Sequence, residues 1–280
     1  METPESYFLN SELIVHAGGL SERWWPVTEG EVPKPRTDIG KKPRPMIDWV
    51  ILPYVVAGIK HIFVSLWHKP DTIVEHLEEI EKNTDIKFTY LVEPEDRRLG
   101  RAGVIKYFLE NGVLSEEKPK IWMNASDIVR INIRELLKFH LIGLNKGFLA
   151  TVVGSSSDCS QFGRIRCDPK TKAVKSFEEK PITTLPKGEY VNTGIFCIDQ
   201  KLNKIFFEIE EKELPIDVER CSILPKICKV MRCFEFAVPF KNWVWLKNPK
   251  DYKRVKDMDL EKFLEVPSVE KYLGPYSPLG

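Results

Sequence analysis

Short apolar runs alternating with longer amphipathic stretches constrain this chain more than any other feature of its sequence. Residues 11–17 read as a strand that runs into Gly18-Gly19, and a helical stretch begins at Met46 after the proline-rich segment 41–45. Residues 61–66 have the length and branching of a buried strand. A helix is predicted from Asp71, its expected N-cap, to about Asn83. Further strands are predicted over 87–92, 120–124 and 148–154. Helices are predicted over 102–111, ended by Gly112, and over 133–140. Strand–helix–strand units of this kind imply an α/β fold: a Rossmann-like, mainly parallel sheet flanked by helices. Ligands of such sheets bind outside the carboxyl ends of the strands, so the loops after Ala17, Val92 and Met123 become the candidate walls of a site.

The second half changes character. Residues 163–180, with a turn over 169–172, read as a hairpin, and strands are predicted over 194–198 and 234–240. These imply an inserted antiparallel β lobe within about 155–245, inside a single domain spanning 1–265. The proline- and glycine-containing stretch 266–280 is expected to form an extended or poorly ordered tail.

Charge excludes some classes of function. Lys and Arg number 42 against 41 Asp and Glu, for a net charge of +1, so there is no basic footprint for nucleic acid. No apolar run approaches the ~20 residues that cross a bilayer, and the acidic start of the chain is unlike a targeting leader. Six cysteines without a Cys-x-x-Cys pair fit free thiols in a cytoplasmic protein.

Two segments carry chemistry. Residues 17–23, Ala-Gly-Gly-Leu-Ser-Glu-Arg, follow the first strand; glycines there let backbone N–H groups approach a phosphate, and Arg23 adds a charge-assisted contact. Neither a Gly-x-Gly-x-x-Gly fingerprint nor a Walker loop is present, which argues against a dehydrogenase or a P-loop ATPase. In Pro33-Lys34-Pro35 a lysine is held between prolines and loses little entropy on binding an anion.

With Trp25-Pro26-Val27-Thr28 and 42–48, these segments resemble the opening signature of the sugar-phosphate nucleotidylyltransferases. That family includes mannose-1-phosphate guanylyltransferases and glucose-1-phosphate thymidylyl- and uridylyltransferases. Leu99-Gly100-Arg101-Ala102-Gly103, Glu178-Glu179-Lys180-Pro181 and Val191-Asn192-Thr193-Gly194 are similar to later motifs in the same order, so the resemblance covers about 13–252. It implies a GT-A-like nucleotidyltransferase fold and transfer of a nucleotidyl group from a nucleoside triphosphate to a sugar 1-phosphate. Arg23 and Lys34 would be catalytic, and Ala17, Gly18, Gly19, Glu93 and Gly100 would bind the nucleotide. Glu179, Lys180, Asn192 and Thr193 would meet the sugar phosphate, with Mg²⁺ on carboxylates as the cofactor. The implied partners are the two substrates, with neither nucleic acid nor membrane; self-association is left open.

The carboxylates depart from the pattern. Where relatives have Asn-Gly-Asp, this chain has Asn124-Ala125-Ser126-Asp127, so the metal-binding aspartate falls on Ser126 without a gap and on Asp127 with one residue of slippage. Asp127 is the expected ligand, because a neutral hydroxyl binds Mg²⁺ poorly. In place of Trp-x-Asp-x-Gly stands Trp243-Val244-Trp245-Leu246-Lys247, with Trp245 at the acid's position; Asp217 is a substitute candidate. A catalytically degenerate relative, binding a nucleotide or nucleotide sugar to regulate a partner, is the alternative.

Overall fold

The computed structural model describes residues 3–156, 162–180 and 189–277, with Glu219 described through its backbone alone. Two compact units emerge. One holds the described residues of Met1–Leu13, Glu93–Met123 and Asn132–Pro239; the other holds those of Ile14–Val92, Asn124–Ile131 and Phe240–Gly280. The chain passes between them inside the strands Glu12–His16 and Lys120–Asn124.

In the first unit the strand Glu189–Ile198 is almost wholly buried, as expected of a strand covered on both faces. It pairs antiparallel with Lys120–Asn124, Arg164–Cys167 and Ala150–Ser155, and Val174–Glu178 extends the sheet beyond Arg164–Cys167. The expected hairpin is therefore present. The strand expected at 234–240 lies earlier, at Met231–Ala237, and runs parallel to Ala150–Ser155 rather than joining the antiparallel lobe. The helix Leu224–Lys229 leads into that strand. Ile133–Leu144 is capped by Asn132 and buries Ile133, Leu136, Leu137 and His140 along one face. His140 is a core residue: it bonds Tyr7 Oη and Thr151 Oγ1, each at 2.9 Å, and burial pushes its pKa down to about 4.

The second unit orders Glu12–His16, His61–Leu66 and Lys87–Val92 in one sheet, the last two strands in parallel. The helix Met46–Val56 is apolar all round and accordingly buried, but it carries one acid, Asp48. Asp48 is fully buried, accepting from Arg44 Nε at 2.8 Å and lying 2.6 Å from His76 Nε2. Burial alone would raise its pKa; His76 and Arg44 outweigh it and hold the carboxyl below its usual range. His76 belongs to Pro70–Asn83, so its contact with Asp48 ties that helix to Met46–Val56. That helix starts on Pro70 after Lys69; Asp71 is therefore not the N-cap but an acid in the first turn, where the helix dipole favours it.

The expected tail is docked. Residues 270–273 form the helix Glu270–Leu273, with Val269 and Leu273 buried, because apolar side chains in this stretch find core to cover. The Tyr276 hydroxyl donates to Asp38 at 2.7 Å and accepts from Arg36 Nη1 at 2.9 Å, and Arg44 Nη1 donates to the Gly274 carbonyl at 2.9 Å. Among the described residues no helix is long and apolar enough to cross a membrane. Cys159 lies outside the described residues, and the other five cysteines are free thiols.

Removing Asp48 strands Arg44 without its buried partner. Asp48→Ala should lower the unfolding free energy by about 3–5 kcal/mol, read from urea denaturation.

Candidate active site

The chemistry of the second unit gathers around a loop and a β ribbon. Ala17 fixes the start of the loop by donating its N–H to the Ser65 carbonyl at 2.9 Å. Beyond it, the N–H groups of Gly18, Gly19 and Leu20 donate to no other group among the described residues. Ser21 then takes a left-handed turn, at φ 54°, into the short 3-10 helix Glu22–Trp24, which leaves Arg23 exposed and Trp24 buried. The Trp24 indole N–H donates to Thr37 Oγ1 at 3.0 Å and fixes the ring beside Lys34, whose Nζ lies 5.8 Å from the ring centroid.

Lys34 opens the 3-10 turn Lys34–Arg36, its backbone stiffened by Pro33 and Pro35. Its Nζ donates to the Leu246 carbonyl at 3.1 Å. Burial first, then the neighbouring charge of Lys247, lowers its pKa to about 7. Asp127 opposes that shift, and Arg23 adds a smaller push in the same direction. Arg23 and Lys247 are thus each close enough to Lys34 to disfavour its charge.

Asp127 stands at the start of the strand Asp127–Val129, which pairs antiparallel with Trp243–Trp245 so that Asp127 faces Trp245 directly. The carboxylate is buried. Its Oδ2 accepts from Lys247 Nζ at 2.7 Å, with Ser126 Oγ at 3.3 Å and Asn124 Nδ2 at 3.4 Å; its Oδ1 accepts from Trp243 Nε1 at 3.3 Å. Lys247 Nζ also donates to Ser126 Oγ at 3.1 Å. Sequence reasoning assigned Lys247 no role. The signal was there: a long cation at a position where relatives keep glycine.

These donors do not fit Mg²⁺. Among the described residues no group of three or more His, Cys, Asp or Glu could hold a metal ion, and the Asp127 oxygen that would ligate one is held by an ammonium group. The substitute candidate, Asp217, belongs to the first unit, where its Oδ1 accepts from the Arg101 amide at 3.2 Å and from Arg101 Nε at 3.0 Å.

The remaining expected site residues lie in the first unit. Glu93 is buried; burial raises its pKa, and its Oε2 accepts the Leu99 N–H. Gly100 has φ +73°, and a Cβ there would lie 2.6 Å from Ile216 backbone atoms, so only glycine lets the two segments exchange their hydrogen bonds. The pairing of Glu189–Ile198 with Ala150–Ser155 shifts register between Asn192 and Phe196, a bulge at the Val-Asn-Thr-Gly motif. Within it Asn192 Oδ1 accepts from Gly194 N–H at 2.8 Å, and the buried Thr193 hydroxyl donates to the Val153 carbonyl at 2.9 Å. Lys180 Nζ lies 3.6 Å from Glu179 Oε1. Pro181 lies outside the described residues.

A mixed α/β fold, with a parallel core sheet, antiparallel strands and a cationic loop site, defines the class. The profile of the nucleotidyl transferase family matches residues 12–260, and the chain belongs to that family. It is 28% identical over 235 residues to "Probable mannose-1-phosphate guanylyltransferase 3" of Arabidopsis thaliana, covering 84% of this chain and 66% of that one. It is 30% identical over 242 residues to "Mannose-1-phosphate guanyltransferase" of Pichia angusta, covering 85% and 61%. The chain thus spans less than two thirds of the length of these relatives. The fold is that of HddC from Yersinia pseudotuberculosis complexed with GMP-PN, with a TM-score of 0.67 and 22% identity over 90% of this chain and 99% of that one.

Lys34 carries its charge below a pH of about 7 and loses it above. A bound anion favours the charged form, so binding takes up a proton in that region. Affinity for inorganic triphosphate, measured by calorimetry, should therefore fall as pH rises through about 7. Lys34→Met should remove that dependence.

Proposed function

We propose that this chain transfers a nucleotidyl group from a nucleoside triphosphate to a sugar 1-phosphate and releases pyrophosphate. The observation that carries this is the second unit's loop, where successive undirected N–H groups at Gly18, Gly19 and Leu20 share a unit with Lys34, a buried cation whose charge Arg23 and Lys247 disfavour. A bound anion would offset both that repulsion and the burial. In the reaction an oxygen of the sugar phosphate attacks the α-phosphorus, a new P–O bond forms, and the bond to the pyrophosphate oxygen breaks with its electron pair. The attacking phosphate is already ionised near neutral pH, so no general base is needed. Arg23 and Lys34 hold the triphosphate and stabilise the charge that spreads over the transferred phosphorus. The names of the guanylyltransferase relatives and the GMP-PN bound to HddC make GTP with a hexose 1-phosphate the first pair to test. In the first unit Glu93 and Gly100 would border the base, and Glu179, Lys180, Asn192 and Thr193 the sugar phosphate.

A role in binding without turnover is favoured by one observation, the closed pairing of Asp127 with Lys247 where relatives would hold a metal. Pyrophosphate release, measured with a panel of nucleoside triphosphates and sugar 1-phosphates, separates the two. Turnover is expected, with Arg23→Ala lowering kcat/KM by about 10²–10³-fold. Nucleotide binding without release from any pair would establish the binding role instead.

A further inference from the structure

Lys247 reaches Asp127 from a backbone that is itself tied down. Its own amide and that of Asn248 donate to Asp251 Oδ2 at 2.7 and 3.1 Å, and the Leu246 amide donates to the Ser126 carbonyl at 2.9 Å. The side chain is 16% exposed, with its ammonium group 2.7 Å from Asp127 Oδ2. A Mg²⁺ ion requires oxygens at about 2.0–2.1 Å in near-octahedral array. It would have to take the same Asp127 oxygen while facing a fixed like charge. The position opposite Asp127 in the ladder, where antiparallel partners bring their side chains together, supplies no second carboxylate for that ion. Trp245 stands there, its ring centroid 4.9 Å from that of Trp243 and 5.1 Å from that of Phe240. One of the two positive charges that such an ion would bring is already present, covalently attached.

We propose that the Lys247 ammonium group is a built-in substitute for a divalent cation, so that a nucleotide's phosphates enter this site as the free anion rather than as a metal chelate. The ligand class rests on the nucleotidyl-transfer function proposed above; the displacement of the ion by lysine stands on the geometry alone. Lys247 neutralises Asp127, and Arg23 and Lys34 remain to face the phosphates.

Manganese alone, followed by electron paramagnetic resonance, tests the displacement. The unmodified protein and Trp245→Asp should leave the ion free, because the lysine still fills the seat. Trp245→Asp combined with Lys247→Met should capture it. Three results overturn the proposal: capture by the unmodified protein that Asp127→Asn abolishes, equal capture by Trp245→Asp alone, or no capture by the double variant with a native circular dichroism spectrum. Should the double variant fail to fold, calorimetry of inorganic pyrophosphate on the unmodified protein decides. Its dissociation constant should be at least about tenfold weaker in excess magnesium chloride than in excess EDTA, because magnesium chelates the free anion that the site takes; equal or tighter binding in magnesium overturns the proposal. Absence of pyrophosphate binding in both conditions would instead remove the nucleotidyl-transfer function, and manganese capture by the unmodified protein and its Asp127→Asn variant would still judge the seat.

Discussion

Asp127 is a buried carboxylate, and everything around it in the second unit is arranged to answer its charge. Lys247 meets it at 2.7 Å, the Trp243 indole donates to its other oxygen, and Ser126 lies between lysine and acid. Removing a carboxylate from water is costly unless a partner and hydrogen bonds replace the solvent. The ribbon formed by Asp127–Val129 and Trp243–Trp245 makes this possible by bringing residues more than a hundred positions apart into register. Lys34 then feels both the aspartate and the lysine; burial first, and Lys247 after it, lowers its pKa against the pull of Asp127.

A second buried acid shows the same physics in a structural role. Asp48 is held by Arg44 and His76, and the docked segment around Tyr276 adds contacts to Arg36, Asp38 and Arg44 beside it. The two carboxylates differ in what surrounds the pairing. Asp48 sits inside a helix that is apolar on every face. Asp127 shares its neighbourhood with a cation beyond its own partner, Lys34. Surplus charge beside a pairing, rather than the pairing itself, is what distinguishes a place for a ligand from a staple of the core.

Membership of the nucleotidyl transferase family fixes the scaffold but leaves the ion chemistry to individual side chains. Here Trp245 and Lys247 occupy positions that set whether a divalent ion has anywhere to sit. Tryptophan supplies no oxygen, and an ammonium group brings one charge with three directed hydrogens. A lysine cannot bridge two phosphates as an octahedral ion does, but it needs no free metal and does not dissociate.

Local pattern and motif made much of this protein legible. The alternation of strands and helices, the hairpin at 163–180, the glycine loop after the first strand and the lysine between prolines all depend on residues close in sequence, whose periodicity and backbone preferences act locally. The same locality explains the boundaries that shifted, such as Asp71, because whether an acid caps a helix or lies in its first turn depends on backbone angles that neighbours share. The direction of Met231–Ala237 was not legible, since an isolated strand carries no mark of its partner. Nor was the docking of Tyr276, whose partners lie some 240 positions away. Above all, the resemblance to the nucleotidylyltransferases named Asp127 as a carboxylate for a metal, whereas tertiary structure gave it Lys247. Electrostatic pairing acts through space over a few ångströms, and only the folded chain decides which charges come that close.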